Sequence, residues 1–365
     1  MPLLARTILA PIAVDVSAGA LNSLPELLVD TRISSGGRVA IVLGPGLGNR
    51  LGDQLQNTFP DAHVIHISPG TLDAANQLWG QLREADRDGR GVDALVGIGG
   101  GRLIDTAKYA ATQVGIPMVT VATSLANDGI ASPTASLERD GHSISYGVHT
   151  PLAVLVDLDF VRSAPLAQLR AGAGDLLTNL SAIADWELSA KVTGESVDGL
   201  AIALAQTGAE AVLWHPNGES ALNDPTTPGS DDFLSTLAKG LLQGGLSMAI
   251  ARSSRPCSGG CHEIAHALEA LHPGCAAHGE QGAIGALFCT YLRGDQKLFA
   301  ELATALRKFH LPRVPADLGL SVPEFSDVVM HAPKTRPGRY TILEHEKLTQ
   351  EQVVAVIENM TDELA

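Results

Sequence analysis

The stretch "DALVGIGGGRLID", residues 93–105, decides the reading of the fold. Its first half is a short apolar run ending in glycine, the pattern of a buried strand. Its second half opens a helix-like segment that runs on to Val114. Gly99, Gly100 and Gly101 join the two, so backbone N–H groups can approach an anion with no side chain in the way. A helix N-terminus adds a favourable dipole for phosphate. The spacing is not the G-x-G-x-x-G fingerprint, and the same turn also suits a tight connection with nothing bound.

Outward from this turn the same unit repeats. "RVAIVLG" (38–44), "AHVIHIS" (62–68), "PMVTVAT" (117–123) and "LAVLVDL" (152–158) read as further buried strands. Amphipathic segments such as 71–88 and 103–114 lie between them. Strands alternating with helices predict a parallel sheet covered on both faces. Ligands of such sheets sit beyond the carboxyl ends of adjacent strands. "VATSLANDGIASP" (121–133) sets Thr123, Ser124, Asn127, Asp128 and Ser132 beyond one strand end, and "GPGLG" (44–48) beyond another. Several such ends together suit a dinucleotide.

After Pro165 the strand-like runs stop. Long Ala/Leu-rich helical patterns cover 173–191, 233–251, 263–271 and 281–292. The expected organisation is an α/β dinucleotide-binding domain over 1–164 and an all-helical metal-binding domain over 165–365, with the active site in the cleft between them. The 45% hydrophobic content suffices for two cores, and the net charge of −15 with scattered basic residues argues against nucleic acid as a partner. "MPLLARTILAP" lacks a signal-peptide pattern, and Lys239 with a glycine pair interrupts the apolar run 234–251. The expectation is a cytoplasmic protein with a small-molecule substrate and no membrane insertion.

The chemistry concentrates in "SRPCSGGCHEIAHALEALHPGCAAHGEQ", residues 254–281. His262 and His266 are four apart and share a helix face. His278 follows a Pro-Gly turn, so two helices joined by a short loop can bring it to His262. A catalytic zinc or ferrous ion takes about three protein ligands and an open position. Asp175, read at the start of a helix after a Gly-rich turn, is the best third ligand; Asn179 shares its face, and Glu280 could support His278. A lone buried histidine is more often a hydrogen-bonded core residue than a ligand, so the weight falls on the set. The cysteines read as small apolar residues.

The ordered motifs "GGGRLID", "TSLANDGIASPTAS", "GAGDLLTNLSAIADW", "SSRPCSGGCHEIAHAL", "HGEQ" and "KTRPGRYTIL" resemble the sn-glycerol-1-phosphate dehydrogenase family. That family lies within the superfamily of iron-containing alcohol dehydrogenase, glycerol dehydrogenase and dehydroquinate synthase. The resemblance runs from about Val39 to Leu343. It implies a Rossmann-like domain followed by an all-α domain, in a homodimer or higher homo-oligomer. Metal ligands fall on Asp175, His262 and His278, and substrate contacts on Asp128, Asp175 and His266. Contacts to NAD or NADP fall on Gly99, Gly100, Gly101, Asp105, Thr123, Ser124 and Ser132.

The implied reaction is metal-assisted hydride transfer between NAD(P)H and a small ketone, dihydroxyacetone phosphate giving sn-glycerol 1-phosphate. Asp128 would orient a substrate hydroxyl and His266 would relay the proton. Zinc, nickel and iron all suit the ligand set. The turn "HISPG" has neither an acid for a ribose 2′-OH nor a base for a 2′-phosphate, so it carries no preference between NAD and NADP. Three positions depart from the family pattern: Asn127 for histidine, Cys261 for glutamate and Ala184 for lysine. They keep open a same-fold dehydrogenase for another small hydroxyketone or aldehyde. A sugar-phosphate cyclase is a further alternative, disfavoured because such enzymes typically carry glutamate at the Asp175 position.

Overall fold

A computed structural model describes residues 11–85 and 91–365, and for residues 47–50, 53 and 54 the backbone alone. Two compact units emerge. One takes the residues up to Leu125 together with Gly129–Ala164, and the other takes Ala126–Asp128 with Pro165–Ala365.

The first unit runs β1 (Ala13–Ser17), α1 (Leu24–Leu28), β2 (Val39–Leu43), α2 (Pro45–Thr58), β3 (His63–His66), α3 (Leu72–Glu84), β4 (Ala94–Gly99), α4 (Gly101–Val114), β5 (Met118–Ala122), β6 (Thr134–Arg139), β7 (His142–Gly147), β8 (Ala153–Asp157) and α5 (Leu158–Ser163). Among the described residues β1-β8-β5-β4-β2-β3 form one sheet, every pairing parallel. Strands β2, β4, β5 and β8 are buried along their whole length, which is why their sequences are unbroken apolar runs. All five strands expected from the sequence are present.

Two features were not expected. Strand β1 is a half-exposed edge whose partner, β8, lies far along the chain. The antiparallel pair β6–β7 turns at Asp140 (φ +53°) and Gly141 (φ +78°), both left-handed. Asp-Gly between alternating residues is a strong hairpin signal, and it stands in "ERDGHS". The amphipathic segment read over 71–88 ends at Glu84, and its last three residues lie outside the described ones, as do residues 1–10.

The sheet order locates a ligand crevice. From β2 the chain steps outward to β3, then returns to place β4 on the other side of β2. The reversal falls between the carboxyl ends of β2 and β4, where "GPGLG" and "GGGRLID" lie.

The second unit is helical: α6 (Leu166–Thr193), α7 (Gly199–Leu213), α8 (Gly218–Ala221), α9 (Ser230–Ala251), α10 (Gly260–Leu271), α11 (His278–Arg293), α12 (Gln296–Lys308), α13 (Val322–His331), α14 (Ile342–Glu346) and α15 (Gln350–Leu364). No strand occurs here among the described residues. No described helix is long and apolar enough to cross a membrane.

Asp175 does not start a helix. It lies in the third turn of α6, and the glycines before it are helical. Their role is close packing: a Cβ on Gly174 would stand 2.5 Å from the Gly279 carbonyl oxygen, and one on Gly279 would stand 1.9 Å from that of Ala171. Both distances are far below van der Waals contact, so α6 and α11 approach this closely only with glycine at both positions. The contact brings the start of α11, with His278, onto the turn of α6 that carries Asp175.

Candidate metal centre and nucleotide-binding turn

Asp175, His262 and His278 offer ligand atoms that all lie within 4.8 Å of one another. They come from three helices, and each position has a cause. α10 is fixed by the fully buried Asp185 of α6. Its Oδ2 accepts the Gly260 N–H (2.8 Å), while its Oδ1 accepts Arg293 Nη2 (2.7 Å) and the Ile342 N–H (2.9 Å). His262 therefore sits two residues from an anchored N-terminus, its Nε2 3.5 Å from Asp175 Oδ1. His278 is the first residue of α11, its ring centroid 5.1 Å from that of His262.

Glu269 is the organiser that no sequence signal singled out. Its Oε1 accepts from His278 Nδ1 at 2.8 Å and its Oε2 from His266 Nδ1 at 3.3 Å. The first bond aims His278 Nε2 away from Glu269, the carboxylate–histidine arrangement of metal sites. The available hint was spacing, because Glu269 follows His266 by three residues on one helix face. Glu280, expected to support His278, instead accepts the Ala277 N–H at 2.8 Å and caps α11. Asn179 donates to the Ala205 carbonyl at 3.4 Å, toward α7 and not toward the ligand set.

The electrostatics of the three are tightly linked. Burial pulls His262 down to about 4, against the opposing pull of its Asp175 hydrogen bond, so it is a neutral donor. Burial also acts to lower His278, but the hydrogen bond and charge of Glu269 outweigh it and push it up to about 9. Burial raises Asp175, yet its contacts with His262, His278 and the Asp128 N–H (3.1 Å) leave it below the usual carboxylate range. A buried carboxylate between two imidazoles, one oriented by a second carboxylate, is the donor chemistry that holds a divalent ion with positions open for substrate. The residues fit the group.

His266 stands beside this set, its ring centroid 6.4 Å from His262 and 5.7 Å from His278. Both its nitrogens are engaged: Nδ1 donates to Glu269 and Nε2 accepts from Arg336 Nη2 at 2.8 Å. Burial, the largest influence, lowers its basicity. Asp128 falls in the helical unit, as its backbone bond to Asp175 requires.

In the first unit, β4 ends at Gly99 and Gly100 caps α4 in extended backbone. The Thr123 N–H donates to the Gly99 carbonyl at 3.1 Å. A Cβ on Gly100 would lie 2.8 Å from Ser124 Oγ, so glycine here lets the end of β5 close against the turn. Asp105 and Ser132 lie deeper. Asp105 pairs with the fully buried Lys108 (2.9 Å) and accepts the Ser136 N–H (3.0 Å), and Ser132 Oγ sits 3.4 Å from the same ammonium. Their visible work is to pin the β6–β7 hairpin to α4.

Comparison with known proteins agrees with this architecture. The iron-containing alcohol dehydrogenase family pattern matches residues 15–165. A glycerol-1-phosphate dehydrogenase (NAD(P)+) of Methanospirillum hungatei is 34% identical over 94% of this chain and 91% of its own length. One from Methanosphaerula palustris is 35% identical over 95% and 92%. The chain belongs to the glycerol-1-phosphate dehydrogenase family. By that membership it is an oxidoreductase. In fold it resembles the crystal structure of a probable glycerol dehydrogenase from Sinorhizobium meliloti, with TM-score 0.77 and 23% identity over 99% of both chains. Glycerol dehydrogenase from Schizosaccharomyces pombe gives TM-score 0.75 and 19% identity, covering 98% of this chain and 91% of that one.

Within this family member, Cys261 lies behind His262. Its Sγ is 3.5 Å from Nδ1, the ring nitrogen opposite the one facing Asp175. Burial pushes the thiol up to about 12, so it stays neutral. The departure from glutamate thus touches the outer side of a candidate ligand. Ala184 lies half-buried on α6.

Proposed function

We propose that this protein interconverts dihydroxyacetone phosphate and sn-glycerol 1-phosphate with NAD(P)H or NAD(P)+. The carrying observation is the convergence of Asp175, His262 and His278 with Glu269 behind them, in a chain whose full-length relatives bear that activity in their names. The first unit would bind the nucleotide at Gly99, Gly100 and Gly101 with Thr123 and Ser124; the helical unit would carry the metal. Zinc is the preferred ion, since one carboxylate and two histidines with an open position suit its catalytic sites. A cytoplasmic location accords with a soluble metabolite as substrate.

When bound, the cation supplies Lewis-acid polarisation of the ketone oxygen, and the nicotinamide supplies the hydride. The chain's own residues do the rest. Glu269 fixes the His278 ring, and the Asp128 N–H fixes the Asp175 carboxylate. The Asp128 side chain orients a substrate hydroxyl. His266, held between Glu269 and Arg336, is a rigid wall of the substrate position and the nearest neutral imidazole for proton exchange. Asp105 and Ser132 shape the nucleotide side through the hairpin they anchor.

The test is NADH and NADPH oxidation with dihydroxyacetone phosphate beside unphosphorylated dihydroxyacetone, after reconstitution with zinc, nickel or ferrous iron. Robust turnover of the phosphate ester is expected. Turnover of another ketone with none of the phosphate ester would overturn the substrate and keep the reaction class.

A further inference from the structure

The glycine turn after β4 divides the carboxyl edge of the sheet. On one side lies the end of β5, with Thr123 and Ser124, and the chain runs on from there to Asp128. On the other side lie β2 and β3. Hydride transfer needs the nicotinamide beside the substrate. A nucleotide whose pyrophosphate rests on the turn therefore has its nicotinamide half toward β5 and its adenosine half toward β2 and β3. The loops after those two strands, "GPG" (44–46) and "SPG" (68–70), carry no carboxylate to pair with a ribose 2′-OH.

A cation stands on the adenosine side. Arg102, exposed in the first turn of α4, lays its guanidinium against Gly70, the last residue of the loop after β3. Gly70 has φ +108°, and a Cβ on it would stand 2.6 Å from Arg102 Nη2 and 2.7 Å from Cζ. A side chain at this position would be strained and would push the guanidinium away. The loop beneath is pinned. The Gly70 N–H donates to Thr106 Oγ1 at 3.0 Å, and that hydroxyl donates to the Arg102 carbonyl at 2.8 Å. The Gly70 carbonyl accepts the Glu138 N–H at 2.9 Å.

Arg102 has no ion-pair partner among the described residues. Its fork is placed by packing, so an incoming anion has no carboxylate to displace first. The fold meets part of the ordering cost in advance, because Gly70 already fixes where the guanidinium lies. A ribose 2′-OH offers such a fork a single oxygen, whereas a 2′-phosphate offers two at once. We infer that Arg102 is the residue that sets nucleotide specificity: it pairs with the 2′-phosphate of NADP(H), and the chain prefers NADP(H) to NAD(H). The inference rests on the reading above that the first unit binds the nucleotide at the glycine turn. Metal and substrate play no part in it.

The test is equilibrium binding to the full chain, with NADPH and NADH followed by nicotinamide fluorescence. Adenosine 2′,5′-bisphosphate and adenosine 5′-monophosphate are titrated calorimetrically alongside, as probes of the adenosine half alone. Wild type should bind NADPH about tenfold tighter than NADH or more, and the bisphosphate tighter than the monophosphate. Arg102→Gln should weaken NADPH on the order of 30-fold and NADH by about twofold or less, and close the gap between the two adenosine probes. Arg102→Lys should keep part of the preference, because it retains charge without the fork. Gly70→Ala, which keeps the arginine but moves its guanidinium, should lower the preference in the same direction.

Equal losses of NADH and NADPH affinity in Arg102→Gln would make the residue a support of the turn or a pyrophosphate contact, and would overturn the inference. A wild type that binds the two nucleotides alike, or a preference for NADPH that survives Arg102→Gln, would sink it too while the nucleotide reading stands. If wild type binds neither nucleotide, the nucleotide reading itself fails, and the inference with it.

Discussion

Glycine does opposite work in the two units. At the end of β4, Gly100 clears space for a loop, and the nearest atom to its missing Cβ is a serine hydroxyl. In the helical unit, Gly174 and Gly279 clear space for another helix, and the atoms nearest their missing Cβ positions are backbone oxygens. The first kind of glycine lets a strand end close against a turn. The second closes the helix crossing that brings His278 to Asp175. Substitution separates the two, because a hydroxyl can rotate aside and a backbone carbonyl cannot.

Gly279→Ala should show the larger effect. With Ala171 O only 1.9 Å from the new Cβ, α6 and α11 must separate. We expect a loss of about 3 kcal/mol or more in unfolding free energy and loss of tight metal binding, read by denaturant titration and metal analysis. A stable, metal-loaded Gly279→Ala protein would break the comparison.

Next in size is Glu269→Gln, which keeps the helix packing and weakens the hold on His278 and His266. Metal affinity should fall 10–100-fold by competition with a chelator, with the unfolding midpoint of the metal-free protein nearly unchanged. An equal loss of stability without metal would make Glu269 a packing residue instead.

The smallest structural effect belongs to Gly100→Ala. Only Ser124 Oγ must move, so stability should fall by no more than about 1 kcal/mol, while the KM for the nicotinamide nucleotide rises. A change in metal affinity with nucleotide KM unaltered would reverse the assignment of the two kinds of glycine.

The same contrast explains what could be read from sequence. Strands β2, β4, β5 and β8 were legible because both their faces are buried, so their composition is unmistakable; β3, read as buried too, is an edge strand in which only Ile65 is buried. Strand β1 was not, since an edge strand is half-polar and its partner β8 is remote in sequence. In the candidate metal centre the sequence offered His262, Asp175 and His278 as ligand types at suggestive spacings, and the structure brings the three together. The reason attached to Asp175 was mistaken: the "GAG" before it reads as a turn in one dimension, and only a second helix lying across it shows that it is a packing surface. Asp185 and Arg336 act through partners up to 157 residues away, such as Asp185 with Ile342, and such pairings leave no local pattern, whereas Glu269 left only its helical spacing from His266.

The most direct measurement of the central claim is metal occupancy against rate. Protein stripped with chelator and reloaded stepwise with zinc should regain dihydroxyacetone phosphate reduction in proportion to bound metal, saturating at one ion per chain. His262→Ala should neither bind the ion nor turn over. Full turnover by the stripped protein, or activity in His262→Ala without bound metal, would contradict the account.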